Sequence, residues 1–160
     1  MRIAIETPEA MEEFGALLAS QLRAGDLVAL NGELGAGKTT LTRGLGAALG
    51  VRGAVTSPTF VLARTHPRLD GSAPLVHVDA YRLATAIELD DLDIDYAASI
   101  VVVEWGAGKL DGVTDDWIEL DIVRPVGGEV TEDGVEARTV TITAHGERWS
   151  DLGWLGAPRD

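Results

Sequence analysis

The chain has 160 residues and a formal charge of −13 from 13 basic and 26 acidic side chains; it is 46% hydrophobic and has no cysteine. That size suits one domain with a real core, and the acidic balance works against tight unaided binding to the phosphates of RNA or DNA. Composition excludes disulfides, thiolate metal sites and a cysteine nucleophile, no apolar run is long enough to span a membrane, and Met1-Arg2-Ile3-Ala4-Ile5-Glu6 turns acidic too soon for a signal peptide, so the cytoplasm is the expected compartment.

Residues 2–6 read as a short edge strand. Thr7-Pro8-Glu9 is a helix start, with Thr as N-cap, Pro at the first helical position and an acid in the first turn. Met11, Phe14, Leu18 and Leu22 then recur at helical spacing as a core stripe, with Gly25 placed to close the helix. Asp26-Leu27-Val28-Ala29-Leu30 follows as a buried strand.

The next stretch organises the chain. Gly32-Glu33-Leu34-Gly35-Ala36-Gly37-Lys38-Thr39-Thr40 fits G-x-x-x-x-G-K-[ST], the phosphate-binding loop of nucleoside triphosphatases. Glycines let successive N–H groups turn inward as a nest for phosphate oxygens. Lys38 is placed to reach the β- and γ-phosphates, the Thr39 hydroxyl to sit on magnesium, and the helix starting near Lys38 to add the positive end of its dipole. Leu41, Leu45 and Leu49, with Ala48, share one face of that helix, and Gly50 is placed to end it. Lys38 and Lys109 are the only lysines in the chain, and one of them falls where the motif requires it.

Thr56-Ser57-Pro58-Thr59-Phe60 puts three hydroxyls around a proline directly after the phosphate-loop helix. A loop over the nucleotide and an ordinary polar turn account for it equally well. Pro67 to Pro74, with Asp70-Gly71, is turn chemistry, so 59–66 and 75–81 are predicted as a hairpin or as adjacent strands. In Leu75-Val76-His77-Val78-Asp79-Ala80-Tyr81-Arg82, one strand face is apolar and the other carries an imidazole, a carboxylate and a phenol. The alternatives are a solvated edge-strand face and a functional row, with Asp79 the foremost candidate and His77 and Tyr81 the weaker ones. The acidic run Glu88 to Tyr96 suits either a solvated helix or a docking surface.

Ile100-Val101-Val102-Val103-Glu104-Trp105-Gly106 is the second landmark. A continuous β-branched run marks a strand buried on both faces. Its terminal acid sits at the carboxyl edge where open α/β sheets bind ligands, the place of a Walker B acid. Glu104 would hold magnesium opposite Thr39 or poise a water; Trp105 would line the nucleotide site or simply pack. Gly108-Lys109-Leu110-Asp111 lacks the Asn of a guanine-reading motif, so the nucleotide reads as ATP. Trp117–Val123 and Arg138–Thr143 alternate as antiparallel strands around an exposed, flexible acidic turn at about 125–137. Trp149 and Trp154 mark a tail, 146–160, that packs on the body or meets a partner. The sum is an α/β, P-loop NTPase architecture of three layers, one domain over 1–160, with a central parallel sheet flanked by antiparallel strands.

The phosphate loop, Thr-Ser-Pro-Thr, His-Val-Asp-Ala-Tyr-Arg and Val-Val-Val-Glu-Trp, in that order, resemble the TsaE (YjeE) family, the bacterial ATPases of tRNA threonylcarbamoyladenosine biosynthesis, over roughly residues 5–125. The resemblance implies that ATP binds Glu33, Leu34, Gly35, Ala36, Gly37, Lys38, Thr39 and Thr40 beside Trp105, with Mg2+ between Thr39 and Glu104. It implies Lys38, Asp79 and Glu104 as catalytic residues, with 56–60 as a switch-like loop. It also implies TsaD and TsaB as partners, whose complex modifies the adenosine beside the anticodon, so tRNA is met only indirectly; neither DNA nor membrane is an expected partner. Gly106 departs mildly from the small residue or proline often found there, and the 125–137 turn and the tryptophan tail match no family motif. A small-molecule P-loop kinase is the alternative, but the arginines between the loop and Glu104 (Arg43, Arg52, Arg64, Arg68 and Arg82) are dispersed rather than gathered in a lid. A nucleotide-sensing adaptor without hydrolysis is the other.

Overall fold

The computed structural model describes residues 1–32, 37–53, 55, 63–79, 94–104, 115–123 and 138–155. They form a seven-stranded mixed sheet in the order β1-β7-β6-β2-β5-β4-β3 with two α-helices. The strands are β1 Arg2–Ile5, β2 Leu27–Asn31, β3 Ala63–His66, β4 Leu75–Asp79, β5 Ile100–Glu104, β6 Trp117–Val123 and β7 Arg138–His145. β6, β2, β5 and β4 run parallel. β7 and β1 extend the sheet antiparallel on one side, and β3 does so on the other. No helix among the described residues is long and apolar enough to cross a membrane.

The first helix, α1 (Pro8–Ala19), starts as its sequence dictates: Thr7 Oγ1 accepts from the Ala10 N–H at 3.0 Å, and Pro8 takes the first turn. It ends at Ser20, however, and not at Gly25. Gly25 instead lies in the turn into β2, where its N–H donates to the Ser99 carbonyl at 2.9 Å. The second helix, α2 (Lys38–Leu49), ends as predicted at Gly50, whose φ of 72° is the left-handed conformation that favours glycine. Arg68 Nε fastens that end by donating to the Leu49 carbonyl at 2.8 Å.

The two helices pack side by side in one core cluster. Met11, Phe14 and Leu18 of α1 and Leu41, Leu45 and Leu49 of α2 meet Val28, Leu30, Val102, Ile118 and Leu120 of the sheet. Ala48, expected on this apolar stripe, is exposed. The opposite sheet face gathers Leu27, Ala29, Val76, Val78, Val101 and Val103, with Ile94, Tyr96 and Trp117 partly buried against it. All five residues of β5 are buried, as a β-branched run in the middle of a parallel sheet requires.

β4 is an interior strand between β5 and β3, so its second face is not solvated: His77 is completely buried. β6 and β7 pair antiparallel as predicted, and β6 also lies parallel to β2. The described part of the tail packs on the body. Trp149 is buried in the core, and Trp154 meets it edge-on, ring centroids 6.3 Å apart. A clamp absent from the sequence reading holds this tail. Arg148 Nε and Nη2 donate to the two carboxylate oxygens of buried Asp26 at 3.1 and 3.0 Å, and its guanidinium lies 4.3 Å from the Trp149 ring centroid. The turn at about 125–137 and the chain beyond Leu155 lie outside the described residues.

Candidate functional site

The site is assembled where β2, β5 and β4 end side by side at the carboxyl edge of the parallel strands. Leu30 of β2 pairs with Glu104 of β5, and Glu104 pairs with Asp79 of β4. In a parallel ladder, paired residues project to the same face. The two acids, twenty-five positions apart in the sequence, therefore stand next to each other, on the face that carries α2. Chain direction and register do this; neither acid is near the other in sequence.

β2 feeds directly into α2, and this connection supplies the cation. Gly37 caps the helix with a φ of 116°, a conformation that L side chains rarely adopt, and it has no side chain to occupy the helix end. A Cβ there would also come to 3.2 Å from the Met11 methyl. Lys38 occupies the first position of α2 and is buried, 7% exposed. Its Nζ donates to the Gly32 carbonyl at 2.6 Å, bridging back across the loop. Burial pushes the Lys38 ammonium below the ordinary lysine value, while the carboxylates of Glu104 and Asp79 pull it back up. Lys38, Asp79 and Glu104, three predicted site residues, are thus brought into one electrostatic unit. Thr39 and Thr40 follow in the first turn, half-buried.

Glu104 is itself 5% exposed, and its Oε1 lies 3.5 Å from His77 Nε2. Below the loop, Asn31 at the end of β2 donates from Nδ2 to Asp121 Oδ1 of β6 at 3.1 Å. Sequence reasoning missed both Asn31 and Asp121. Asn31 ends the apolar strand β2 and Asp121 lies within the alternating strand β6, and only the parallel register of β2 with β6 pairs them. Of the remaining predicted residues, Glu33, Leu34, Gly35, Ala36, Trp105, the 56–60 loop, Tyr81 and Arg82 lie outside the described residues.

A helix N-terminus without a capping side chain, a lysine beside it and two carboxylates facing the lysine make a donor set for a polyphosphate with a hard cation. Among the described residues no three His, Asp or Glu side chains gather as a metal cage. That is compatible with magnesium, which commonly takes one or two carboxylates together with substrate phosphates and water. The residues present therefore fit a magnesium–nucleotide pair.

Comparison with known proteins points the same way. Residues 5–128 match the family model described as threonylcarbamoyl adenosine biosynthesis protein TsaE. A Streptomyces coelicolor protein named tRNA threonylcarbamoyladenosine biosynthesis protein TsaE is 61% identical over 143 residues, 88% of this chain and 94% of the relative. The Bacillus subtilis protein of the same name is 33% identical over 148 residues, 91% of this chain and 86% of the relative. The crystal structure of Bacillus subtilis YdiB is similar with a TM-score of 0.69 at 29% identity, covering 93% of this chain and 88% of that one.

Proposed function

The chain belongs to the TsaE family, and from there we propose that it serves tRNA threonylcarbamoyladenosine biosynthesis as an ATP-binding and ATP-hydrolysing subunit acting with TsaD and TsaB. The observation that carries the ATPase reading is the buried Lys38 at the start of α2, electrostatically coupled to Glu104 and Asp79 from the ends of two adjacent parallel strands. A lysine held this way is ready to exchange the Gly32 carbonyl for phosphate oxygens and to stabilise the charge that develops on them during transfer to water.

The backbone N–H groups at the start of α2, with the loop residues 33–36, supply the phosphate cradle. Thr39 and Glu104 are the residues to hold Mg2+, which when bound neutralises charge on the β- and γ-phosphates. Asp79 and Glu104 share the remaining tasks of orienting the metal and the attacking water, and Trp105 is a candidate for nucleotide contact. The charge of −13 supports action through protein partners in preference to direct grip on tRNA.

The test is phosphate release from ATP and magnesium, first with the protein alone and then with purified TsaD and TsaB, with Glu104→Ala in parallel. Stimulation by the partners that disappears in the variant is the expected result. ATP binding without phosphate release in any combination would overturn hydrolysis, and transfer of phosphate to a small metabolite would redirect the reading to a kinase.

A further inference from the structure

His77 is at the centre of a strand and completely buried, and it takes no direct part in the proposed hydrolysis. Among the described residues neither of its ring nitrogens has a hydrogen-bond partner. A buried imidazole without hydrogen bonds costs stability, and an aliphatic side chain would fill an interior strand position without that cost. The polar group it faces is Glu104, with Nε2 and Oε1 at 3.5 Å. Register explains the approach. Glu104 is paired with Asp79, one row beyond His77 on the same face, so its carboxylate turns back along the sheet toward the imidazole.

Glu104 also feels the Lys38 ammonium. The proposed chemistry draws that ammonium to phosphate oxygens. A carboxylate buried as Glu104 is needs a partner that stays, and among the described residues His77 is the one fixed to the sheet beside it. We propose that His77 is the positioning residue of Glu104: as the Nε2–H tautomer it donates to Oε1, fixes the rotamer of the carboxylate and leaves Oε2 for the magnesium ion or the water. The role needs no change in the protonation of His77. It rests on the ATP and magnesium reading above, and it assigns the imidazole a task in tuning metal affinity.

The test measures the magnesium concentration that half-saturates binding of a fluorescent ATP analogue (mant-ATP), and the affinity for the same probe in EDTA. His77→Gln keeps an N–H at the ε position; His77→Asn moves it to the δ position, out of reach of Oε1; His77→Leu removes it and keeps the volume. Loss of the outer partner of a metal-holding side chain typically weakens metal affinity ~10- to 100-fold. Asn and Leu should therefore raise the half-saturating magnesium about tenfold, with binding in EDTA unchanged, while Gln stays within about threefold of wild type. Added to Glu104→Gln, the Asn substitution should change nothing further, because the carboxylate it positions is gone.

Equal shifts in the Gln and Asn variants, an unchanged midpoint in both Asn and Leu, or a full additional effect on top of Glu104→Gln would each overturn the proposal. Failure of the underlying reading looks different. If the midpoint does not respond to Glu104→Gln alone, the metal role of Glu104 is wrong, and the role of His77 falls with it.

Discussion

The helix pair that carries Lys38 is joined at two glycines, and replacing either with alanine tests the packing directly. A Cβ built at Gly44 in α2 falls on the backbone of Glu12 in α1, 2.6 Å from its Cα and 2.7 Å from its carbonyl carbon. One built at Gly15 falls on the Leu41 carbonyl and lies 2.8 Å from the Leu45 nitrogen. These neighbours are main chain, so no rotamer change can yield. Restoring ordinary contact at about 3.5 Å requires the helices to part by roughly 1 Å.

Because the obstructing atoms are main chain, the cost falls in the upper part of the range for overpacking, ~2–3 kcal/mol, while helix propensity returns about 1 kcal/mol for Gly→Ala. The net expectation is a loss of ~1–2 kcal/mol for each variant, or about 2–8 °C in Tm for a domain of this size. Propensity alone predicts the opposite sign. Ala47, exposed on the outer side of α2, supplies the control: Ala47→Gly should lose ~1 kcal/mol from propensity with no change in packing. Urea unfolding followed by tryptophan fluorescence reads all three, since Trp149 is buried in the same core. The Gly44→Ala variant should also bind nucleotide more weakly, because α2 positions Lys38. If Gly15→Ala and Gly44→Ala unfold at or above the wild-type urea midpoint, the close approach of the helices is wrong.

Three further outcomes follow from named contacts. Arg148→Ala leaves the carboxylate of Asp26 with the Arg23 N–H at 2.8 Å and without its two guanidinium bonds; with Arg148 partly solvated, the cost should be ~2–4 kcal/mol in urea unfolding, and Asp26→Ala in the same chain should cost less than the sum. Burial first, then the neighbouring His77 and Arg64 side chains, push the His66 imidazole below its ordinary 6.5, so the folded state binds fewer protons there than the unfolded chain. Stability from this group is therefore present above pH 6.5 and lost as pH falls through that value. The difference between wild type and His66→Gln should shrink or reverse on acidification, at no more than about 1.4 kcal/mol per pH unit, in denaturation curves from pH 7.5 to 5. Lys38→Ala should lower nucleotide affinity at least ~10-fold by calorimetry while leaving the far-ultraviolet circular dichroism spectrum unchanged; unchanged binding would remove the lysine from the site.

Much of this protein is written locally in its chain. Thr7 and Pro8 start α1, Gly50 stops α2, and the motif from Gly32 to Thr40 announces a phosphate site, because caps, turns and phosphate loops depend on residues within a few positions of one another. The β-branched run before Glu104 likewise identifies a strand covered on both faces. What the chain did not disclose depends on long-range pairing. Alternation in β4 is the same for an edge strand and an interior one, so only the neighbours β5 and β3 decided that His77 is buried beside Glu104. The pairing of Asn31 with Asp121 and the grip of Arg148 on Asp26 span 90 and 122 positions. Gly15 and Gly44 lower helix propensity, and only the crossing of α1 and α2 shows main chain where a methyl group would go. Local sequence determines which elements form and where a phosphate can bind; strand order and register, set by burial of the whole apolar surface, determine which distant side chains meet there.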